Sequence, residues 1–305
     1  MHFDLTILGS NGAVPAHDRH PTSQFLNYNG LGFLIDCGEG TQLQMARYNI
    51  RRGKLDHVFI SHLHGDHFFG LMGLITSFNL NNRETPLHIY GHPGIEEIVF
   101  THFKHSQTQL RFALHFHPVL ADKPCLIYED NDLTVVTIPM LHRIATTGFL
   151  FREKKGLRKI LPKKIEEYQI PIHSIVAIKE GADFVTDNGL TILNNEMTLA
   201  PLEPRSYAFC SDTVYTETFL EQIKGVNLLY HESTFVEVHA ARATETFHCT
   251  AKQAATIAQK AGVQKLLLGH FSARYERLEL LHEEASSIFP NCELAIEGKL
   301  FSIDR

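Results

Sequence analysis

One short run near residue 60 constrains the fold of this chain more than any other feature. The run is Ser61-His62-Leu63-His64-Gly65-Asp66-His67, and it follows the apolar segment at 57–60. A strand that feeds a tight turn at a glycine can aim alternate side chains into one pocket, while the last residues begin a helix. Imidazole and carboxylate together suit zinc, with manganese or iron as alternatives, whereas calcium prefers oxygen ligands alone. The run therefore predicts ligands for two adjacent metal ions.

Four ligands in one turn cannot fill two metal sites, so residues elsewhere in the chain must complete them. Three candidates follow apolar strands at their carboxyl ends, where α/β proteins collect their site residues. Taken singly, each of the three would more often be a turn or capping residue than a ligand. Together with the run, they give a predicted ligand set of His62, His64, Asp66, His67, His142, Asp212 and His270.

Short apolar runs predict strands throughout the chain, for example at 5–8, 32–35, 57–60, 87–90 and 133–138. Helical patterns lie between and after them, at 41–48, 68–80, 94–103, 216–223, 251–261 and 276–289. The fifth of these has the clearest ends, because Thr250 and Gln253 fit a capping box and Gly262 fits a C-terminal stop. Strands and helices are mixed along all 305 residues without a low-complexity linker. We therefore predict one α/β domain of two packed sheets with outer helices.

Composition limits the classes of function. The formal net charge of -6 argues against a protein that binds nucleic acid over its whole surface, so any RNA contact must come from local patches. The five cysteines include no CxxC pair and predict neither a disulfide framework nor a thiolate metal site. The N terminus lacks the features of a signal peptide, and no stretch approaches the ~18 apolar residues of a membrane span. These features predict a cytoplasmic protein.

One segment is strongly basic. Between residues 152 and 164, seven of thirteen residues are Lys or Arg, opposed only by Glu153. Such a run is, by itself, more often a solvated helix face than a binding site. Contact with RNA phosphates is the alternative.

The run at 61–67, followed by a single His, Asp and His, resembles the metallo-β-lactamase fold. More narrowly, it resembles the ribonuclease Z family, endonucleases that remove the 3′ trailer of precursor tRNA. Further matching segments cover the chain from end to end: Leu8-Gly9 with Gly12, Asp36–Gln42, Ser61–Gly73, Ser211–Thr213, His231–Phe235 and Gly269–Tyr275. The resemblance implies a metallo-β-lactamase-like αββα sandwich of two mixed sheets with outer helices and a protruding arm. It also implies two Zn²⁺ per subunit, with Mn²⁺ or Fe²⁺ possible, and a homodimer that acts on precursor tRNA.

The resemblance assigns roles to individual residues. It implies His62, His64 and His142 on one ion, Asp66, His67 and His270 on the other, and Asp212 bridging both. It also implies a catalytic dyad of Glu232 and His248, from family loops written HEAT and HST that read HEST and HCT here. Without the resemblance, His248 would be only a residue just before a helix cap. In this scheme Asp66 orients the attacking water, and His248 protonates the departing ribose 3′ oxygen.

The expected RNA contacts are less sharply defined. The family's tRNA-binding arm corresponds to about 151–201 here, with Ile170-Pro171-Ile172-His173 where the family often has Gly-Pro. The family loop PxKxRN, associated with sensing the CCA end, reads Pro15-Ala16-His17-Asp18-Arg19-His20, with histidine at its Lys and Asn positions. The basic run lies in the arm, which favours phosphate contact over a solvated face. The candidate RNA contacts are Arg19, Lys154, Lys155, Arg158, Lys159, Ser272 and Arg274, although a surface ion pair explains Arg274 equally well.

Two other functions remain open at this stage. The same metal set could hydrolyse a small or cyclic phosphodiester, because the fold hosts many reactions. The chain could also be a non-catalytic RNA-binding module, although such a module should have lost at least one ligand and all seven are present. A β-lactamase is disfavoured, since those enzymes are typically secreted and the chain lacks a signal peptide.

Overall fold

The computed structural model describes residues 2–305. Its strands are β1 (Phe3–Gly9), β2 (Ser23–Tyr28), β3 (Leu31–Cys37), β4 (Leu55–Phe59), β5 (Leu87–Gly91), β6 (Leu114–Pro118), β7 (Leu126–Glu129), β8 (Leu133–Met140), β9 (Thr146–Glu153), β10 (Lys159–Ile160), β11 (Phe184–Val185), β12 (Thr191–Ile192), β13 (Thr198–Leu199), β14 (Ser206–Cys210), β15 (Leu228–Glu232), β16 (Lys265–Gly269), β17 (Cys292–Leu294) and β18 (Leu300–Ser302). Its α-helices are α1 (Thr41–Arg47), α2 (Gly65–Phe68), α3 (Gly70–Leu80), α4 (Gly94–His105), α5 (Pro162–Glu167), α6 (Ile175–Glu180), α7 (Asn194–Met197), α8 (Ala240–Thr246), α9 (Ala251–Ala261) and α10 (Glu279–Ser286). Short 3₁₀ helices cover Arg52–Lys54, Ile172–Ser174 and Glu237–His239.

Two large sheets organise residues 2–305. The first has the order β18-β1-β2-β3-β4-β5-β6, antiparallel as far as β3 and parallel from β3 to β6. The second has the order β17-β16-β15-β14-β9-β8-β7, parallel from β17 to β14 and antiparallel beyond. Both sheets are therefore mixed, as predicted.

Three hydrophobic clusters show how the layers stack. Side chains that alternate along a strand face opposite sides of its sheet. On β14, Tyr207 and Phe209 join the cluster between the two sheets, whereas Ala208 and Cys210 join the cluster under the helices of the second sheet, α9 and α10. On β4, Phe59 likewise faces the other sheet, and the third cluster lies under α1, α3 and α4. Because both faces of these strands are buried, their sequences are nearly continuous runs of apolar residues. The order helix, sheet, sheet, helix confirms the predicted αββα sandwich.

The prediction of a helix at 216–223 is wrong, because this stretch forms a series of turns. The Thr216 hydroxyl accepts a hydrogen bond from the backbone N–H of Thr218, which gives the chain a local alternative to helix. The helix predicted at 68–80 is divided into α2 and α3, where a Cβ at Gly70 would lie 2.2 Å from the carbonyl oxygen of Gly38. The helix predicted at 276–289 forms only over Glu279–Ser286, as α10. By contrast, α9 has the predicted bounds and the predicted capping box.

A segment between β9 and β14 is built differently from the sandwich. It contains two small two-stranded sheets, β10 with β13 and β11 with β12, and the short helices α5, α6 and α7. It has a small hydrophobic cluster of its own, with Ile160, Ile170, Ile178, Ile192 and Met197 buried. We call residues 154–205 the inserted segment. Among the helices of residues 2–305, none is long and apolar enough to cross a membrane.

Candidate metal centre and active site

The predicted ligands meet at one edge of the sandwich. The run at 61–67 follows β4, and its last residues form the first turn of α2. Asp212 follows β14, His270 follows β16, and His142 lies in the loop between β8 and β9. Asp212 and His270 have positive φ values of 57° and 55°, an unfavourable conformation for these residue types that often marks functional sites. The loops after the strand ends thus turn these side chains toward a common point.

Three histidines form the first group of candidate ligands. His64 Nδ1 lies 2.9 Å from His62 Nε2 and 3.3 Å from His142 Nε2. Asp212 Oδ1 lies 3.8 Å from His62 Nε2 and 3.9 Å from His142 Nε2. Burial is the largest influence on these three rings, and it lowers the pKa of each. The imidazoles are therefore held neutral, which is the form that coordinates metal.

The second group lies on the other side of the same carboxylate. Asp212 Oδ2 is 3.3 Å from His67 Nε2 and 3.3 Å from His270 Nε2. Asp66 Oδ2 is 3.3 Å from His67 Nε2 and 3.6 Å from His270 Nε2. Asp212 thus presents one oxygen to each group. Burial alone would raise its pKa, but the surrounding histidines, His270 first, outweigh burial and hold it well below its usual range.

The site contains buried nitrogen atoms that lack a hydrogen-bond partner in the described part of the chain and that a metal ion would bind. The Nε2 atoms of His67 and His270 are buried without a hydrogen-bond partner among residues 2–305. Buried polar atoms nearly always have partners, so an ion between these atoms and the carboxylates would account for both. The sets His62–His64–His142 and Asp66–His67–His270 each have ligand atoms within 4.8 Å of one another. The donor set of imidazole and carboxylate fits a divalent transition metal.

Several residues orient the ligands, and sequence reasoning did not single them out for this role. Asp36, at the end of β3, accepts from the Ser61 backbone N–H at 2.8 Å, and its Oδ2 lies 2.7 Å from His67 Nδ1. The Thr234 hydroxyl lies 3.0 Å from His270 Nδ1, and the Phe247 carbonyl lies 3.1 Å from His142 Nδ1. Such partners fix the ring orientation of metal-binding histidines. Asp36 had one detectable signal, its position in the matching segment at 36–42.

The predicted dyad is assembled beside the ligands. His248 Nδ1 lies 2.9 Å from Glu232 Oε1, and that carboxylate also accepts from the backbone N–H groups of Thr213 at 2.7 Å and Cys249 at 3.0 Å. Burial alone would lower the pKa of His248, but the charge and hydrogen bond of Glu232 raise it to about 9. The His248 ring stacks on that of His270, with centroids 5.2 Å apart. Glu232 thus positions His248 and favours its protonated form.

A cleft of about 570 Å³ opens over the metal centre. Ser272 and Arg274, both predicted RNA contacts, line it together with His248. Arg143 and Arg242 also line the cleft, although neither belongs to a recognisable sequence motif. Three guanidinium groups therefore border a cleft whose floor holds the candidate ligands.

The loop at 15–20 is tied to the rest of the protein through its basic residues. Arg19 donates from Nε to the side-chain oxygen of Asn11 at 2.9 Å and from Nη1 to the carbonyl of Glu276 at 3.1 Å. It also donates to the carbonyl of Tyr275. His20 Nδ1 lies 2.9 Å from Glu297 Oε2. These contacts favour a role for Arg19 in positioning the loop rather than in direct RNA contact.

The remaining predicted RNA contacts belong to the inserted segment and do not line the cleft. Lys154 forms an ion pair with Glu129 at 2.6 Å, and Arg158 Nε donates to the Thr198 hydroxyl at 2.7 Å. Lys155 and Lys159 are exposed. Up to residue 160 the basic run consists of strand ends and an irregular stretch at 154–158, so it is not one face of a helix. Its charges are spread along an irregular surface.

Comparisons with known proteins agree with this geometry. Residues 3–156 match the protein-family model described as Anti-Pycsar protein Apyc1. Ribonuclease Z of Bacteroides fragilis is 45% identical to this chain over 301 residues, which cover 99% of each protein. The crystal structure of human tRNase Z, short form, has a TM-score of 0.73 and 25% identity, and the match covers 99% of this chain and 100% of that one. The metallo-β-lactamase fold protein YhfI from Bacillus subtilis has a TM-score of 0.69 and 19% identity over 99% of this chain and 100% of its own, a likeness of fold alone.

Proposed function

The chain belongs to the ribonuclease Z family, and from this premise we propose which of its residues cleave precursor tRNA and how. It is a hydrolase, an endoribonuclease that processes the 3′ end of precursor tRNA, and the family implies divalent metal, for which the His and Asp groups of the site are the candidate ligands. The observation that carries the proposal is the position of Asp212, with one carboxylate oxygen toward each of two ligand groups. A single carboxylate placed in this way fits a bridge between two ions.

We assign two Zn²⁺ to these groups, held by the seven predicted ligands. Bound there, the ions would supply an acidified water at neutral pH and would neutralise the charge on the phosphate. Asp66 Oδ2 accepts a hydrogen bond from the backbone N–H of Ala13 at 2.8 Å. This contact holds the carboxylate at the floor of the cleft, where it can orient the attacking water and accept its proton.

His248 is the proposed proton donor to the ribose 3′ oxygen that departs. Its Nδ1 is engaged by Glu232, which leaves Nε2 as the atom that can give a proton to a substrate in the cleft. Glu232 is fully buried, so its charge acts on His248 through a medium of low dielectric constant. The products are a tRNA with a 3′ hydroxyl and a trailer with a 5′ phosphate.

The RNA strand is proposed to enter between the arginines of the cleft. Guanidinium groups offer paired donors that match phosphate oxygens. Arg143 directly follows His142 in the sequence, Arg274 follows His270 by four residues, and both line the cleft together with Arg242. Phosphates near the scissile bond thus have candidate partners.

The inserted segment is proposed to hold the body of the tRNA, as the family resemblance implies for the arm at about 151–201. We treat the segment as part of a single domain of residues 1–305. Phosphate contacts from Lys155 and Lys159 would position the substrate without reading its sequence. By the same resemblance we infer a homodimer in which the segment of one subunit serves the other, and a cytoplasmic enzyme. Sedimentation at two chain masses would support the dimer.

A second candidate is the hydrolysis of a small or cyclic phosphodiester, because the same fold and metal ligands can serve other reactions. Turnover of a small diester without cleavage of precursor tRNA would support the second candidate.

The proposal is tested by incubating the protein with precursor tRNAs that carry or lack an encoded CCA, with and without chelator, and mapping the cut ends. Cleavage at the 3′ end of the tRNA body, abolished by chelator and restored by Zn²⁺, is the expected result. Absent or chelator-insensitive cleavage would contradict it. The pair of substrates also shows how the altered loop at 15–20 responds to CCA.

A further inference from the structure

A second group of histidines lies on the first sheet, outside the lining of the active-site cleft. His57 on β4 pairs in register with His88 on β5, which in turn pairs with His115 on β6. Neighbouring rings stack, with centroids 5.1 Å apart for the first pair and 4.9 Å for the second. His117 Nε2 lies 2.9 Å from His88 Nδ1. Four imidazoles thus share one face of three adjacent strands.

The four rings differ in how open they are to solvent. His57 is covered by aromatic rings, stacked on Phe33 and in edge contact with Tyr128. His88 and His117 are half-buried, and His115 is exposed. Because β6 is the last strand of the first sheet, its side chains border solvent. Three histidines are therefore within reach of an ion from solution.

We propose that His88, His115 and His117 form a further metal site that binds one Zn²⁺, Ni²⁺ or Cu²⁺. His88 Nδ1 and His117 Nε2 lie 2.9 Å apart, as a hydrogen-bonded pair of rings. Two nitrogens bound at ~2.0–2.1 Å to one tetrahedral ion lie roughly 3.3 Å apart, so a small outward movement of the two rings would let an ion replace the hydrogen bond between them. A ligand set of imidazoles alone favours zinc, nickel and copper over magnesium or calcium.

His115 completes the site from the same strand as His117. Residues at i and i+2 on a strand face the same side, so His115 and His117 share the face on which His88 lies, and the His115 ring contacts that of His88. His115 is exposed, and rotation of its side chain would bring a nitrogen to the ion. Water would fill the remaining coordination positions. The ion would then join the last two strands of the first sheet.

The protonation state of the pair supports this assignment. Burial, followed by the neighbouring His115, lowers the pKa of His88. Burial, followed by His88 and His115, lowers the pKa of His117. Both rings are therefore neutral near pH 7, and a neutral imidazole nitrogen is the one that binds metal. The nearby carboxylate of Asp56 is already paired with Arg83 at 2.6 Å.

The test counts metal ions in protein without an affinity tag. Wild type and His88→Ala/His117→Ala are titrated with Zn²⁺ by calorimetry, and bound zinc is measured after desalting by mass spectrometry. The wild type should bind one more Zn²⁺ per chain than the double variant, with the same turnover of a small diester in both. His173→Ala, at a histidine exposed in the inserted segment, is the matched control and should keep the full count.

A milder variant keeps the test decisive if the double variant folds poorly. His115→Ala removes an exposed ring, so it should fold as the wild type does and weaken the extra Zn²⁺ at least 10-fold. Equal zinc counts and affinities in wild type and His115→Ala would overturn the proposal. His88 and His117 would then be a hydrogen-bonded pair of neutral rings.

Discussion

The metal centre and the inserted segment are proposed to serve the same RNA, yet they are held in very different ways. Candidate ligands such as His62, His67 and Asp212 are almost fully buried, in segments that follow strands of both sheets. Imidazoles on both sides of Asp212 are fixed by a second contact on the other ring nitrogen. The inserted segment instead depends on a cluster of five buried side chains, and its Ile172 is 87% exposed.

This difference matches the two tasks. Bond cleavage needs atoms held at fixed distances, and the core of two packed sheets supplies that rigidity. Holding a long polyanion needs reach and positive charge, which exposed lysines on a small separate unit can supply. Changes at the metal centre should therefore affect every substrate. Changes in the segment should affect only substrates long enough to reach it.

The largest effect is expected for Asp212→Ala, which removes the carboxylate shared by both ligand groups. Cleavage of precursor tRNA and of a small diester should both fall by far more than the ~100-fold typical of residues that only support a ligand. Bound metal, measured by mass spectrometry, should fall as well. Asp132→Ala, at an exposed aspartate, is the control. An Asp212→Ala protein that is active but binds no metal would contradict the two-metal scheme.

His248→Ala should slow cleavage of precursor tRNA by roughly 10²- to 10⁴-fold while leaving bound metal unchanged, because only a proton donor is lost. A diester of p-nitrophenol offers a sharper comparison, since its leaving group departs as a stable anion. Its turnover should fall much less than cleavage of RNA. Equal losses of turnover on both substrates would mean that His248 maintains the structure of the site rather than donating a proton.

Sequence and structure agree best where local rules decide the outcome. The meeting of the seven candidate ligands at one edge of the sandwich could be predicted because strand ends in an α/β fold gather side chains. The helix α9 could be predicted because its caps are encoded by neighbours, Thr250 with Gln253 and the following Gly262.

Features that depend on distant partners could not be predicted in this way. The Phe247 carbonyl and the Thr234 hydroxyl orient ligands through contacts across 105 and 36 residues. Arg143, in the loop between β8 and β9, and Arg242, on α8, line the cleft only through the tertiary fold. The stretch at 216–223 has a helical pattern, but the hydroxyl of Thr216 competes for the backbone N–H of Thr218. A sequence pattern therefore does not predict features that depend on tertiary contacts or on side chains that compete for backbone hydrogen bonds.

Ile178→Ala should lower the stability of the inserted segment without affecting the metal centre. Ile178 is 1% exposed in the small cluster, and such a truncation costs about 2–5 kcal/mol. A cluster of five residues has few contacts to compensate, so the segment should unfold locally. KM for precursor tRNA should rise, while the turnover of a small diester and the main thermal transition stay as in the wild type. Loss of small-diester turnover would show that the two regions are not independent.

The smallest effect is expected for Lys155→Ala/Lys159→Ala, which leaves the fold of the segment intact and removes two exposed charges. If both lysines contact phosphates, KM for precursor tRNA should rise modestly. The slope of its logarithm against the logarithm of salt concentration should fall by about 1 for each lysine removed. Lys224→Ala/Lys252→Ala, at two exposed lysines outside the segment, is the control for net charge. An unchanged salt slope would mean that the basic run is a solvated surface, and that the segment holds RNA by other contacts.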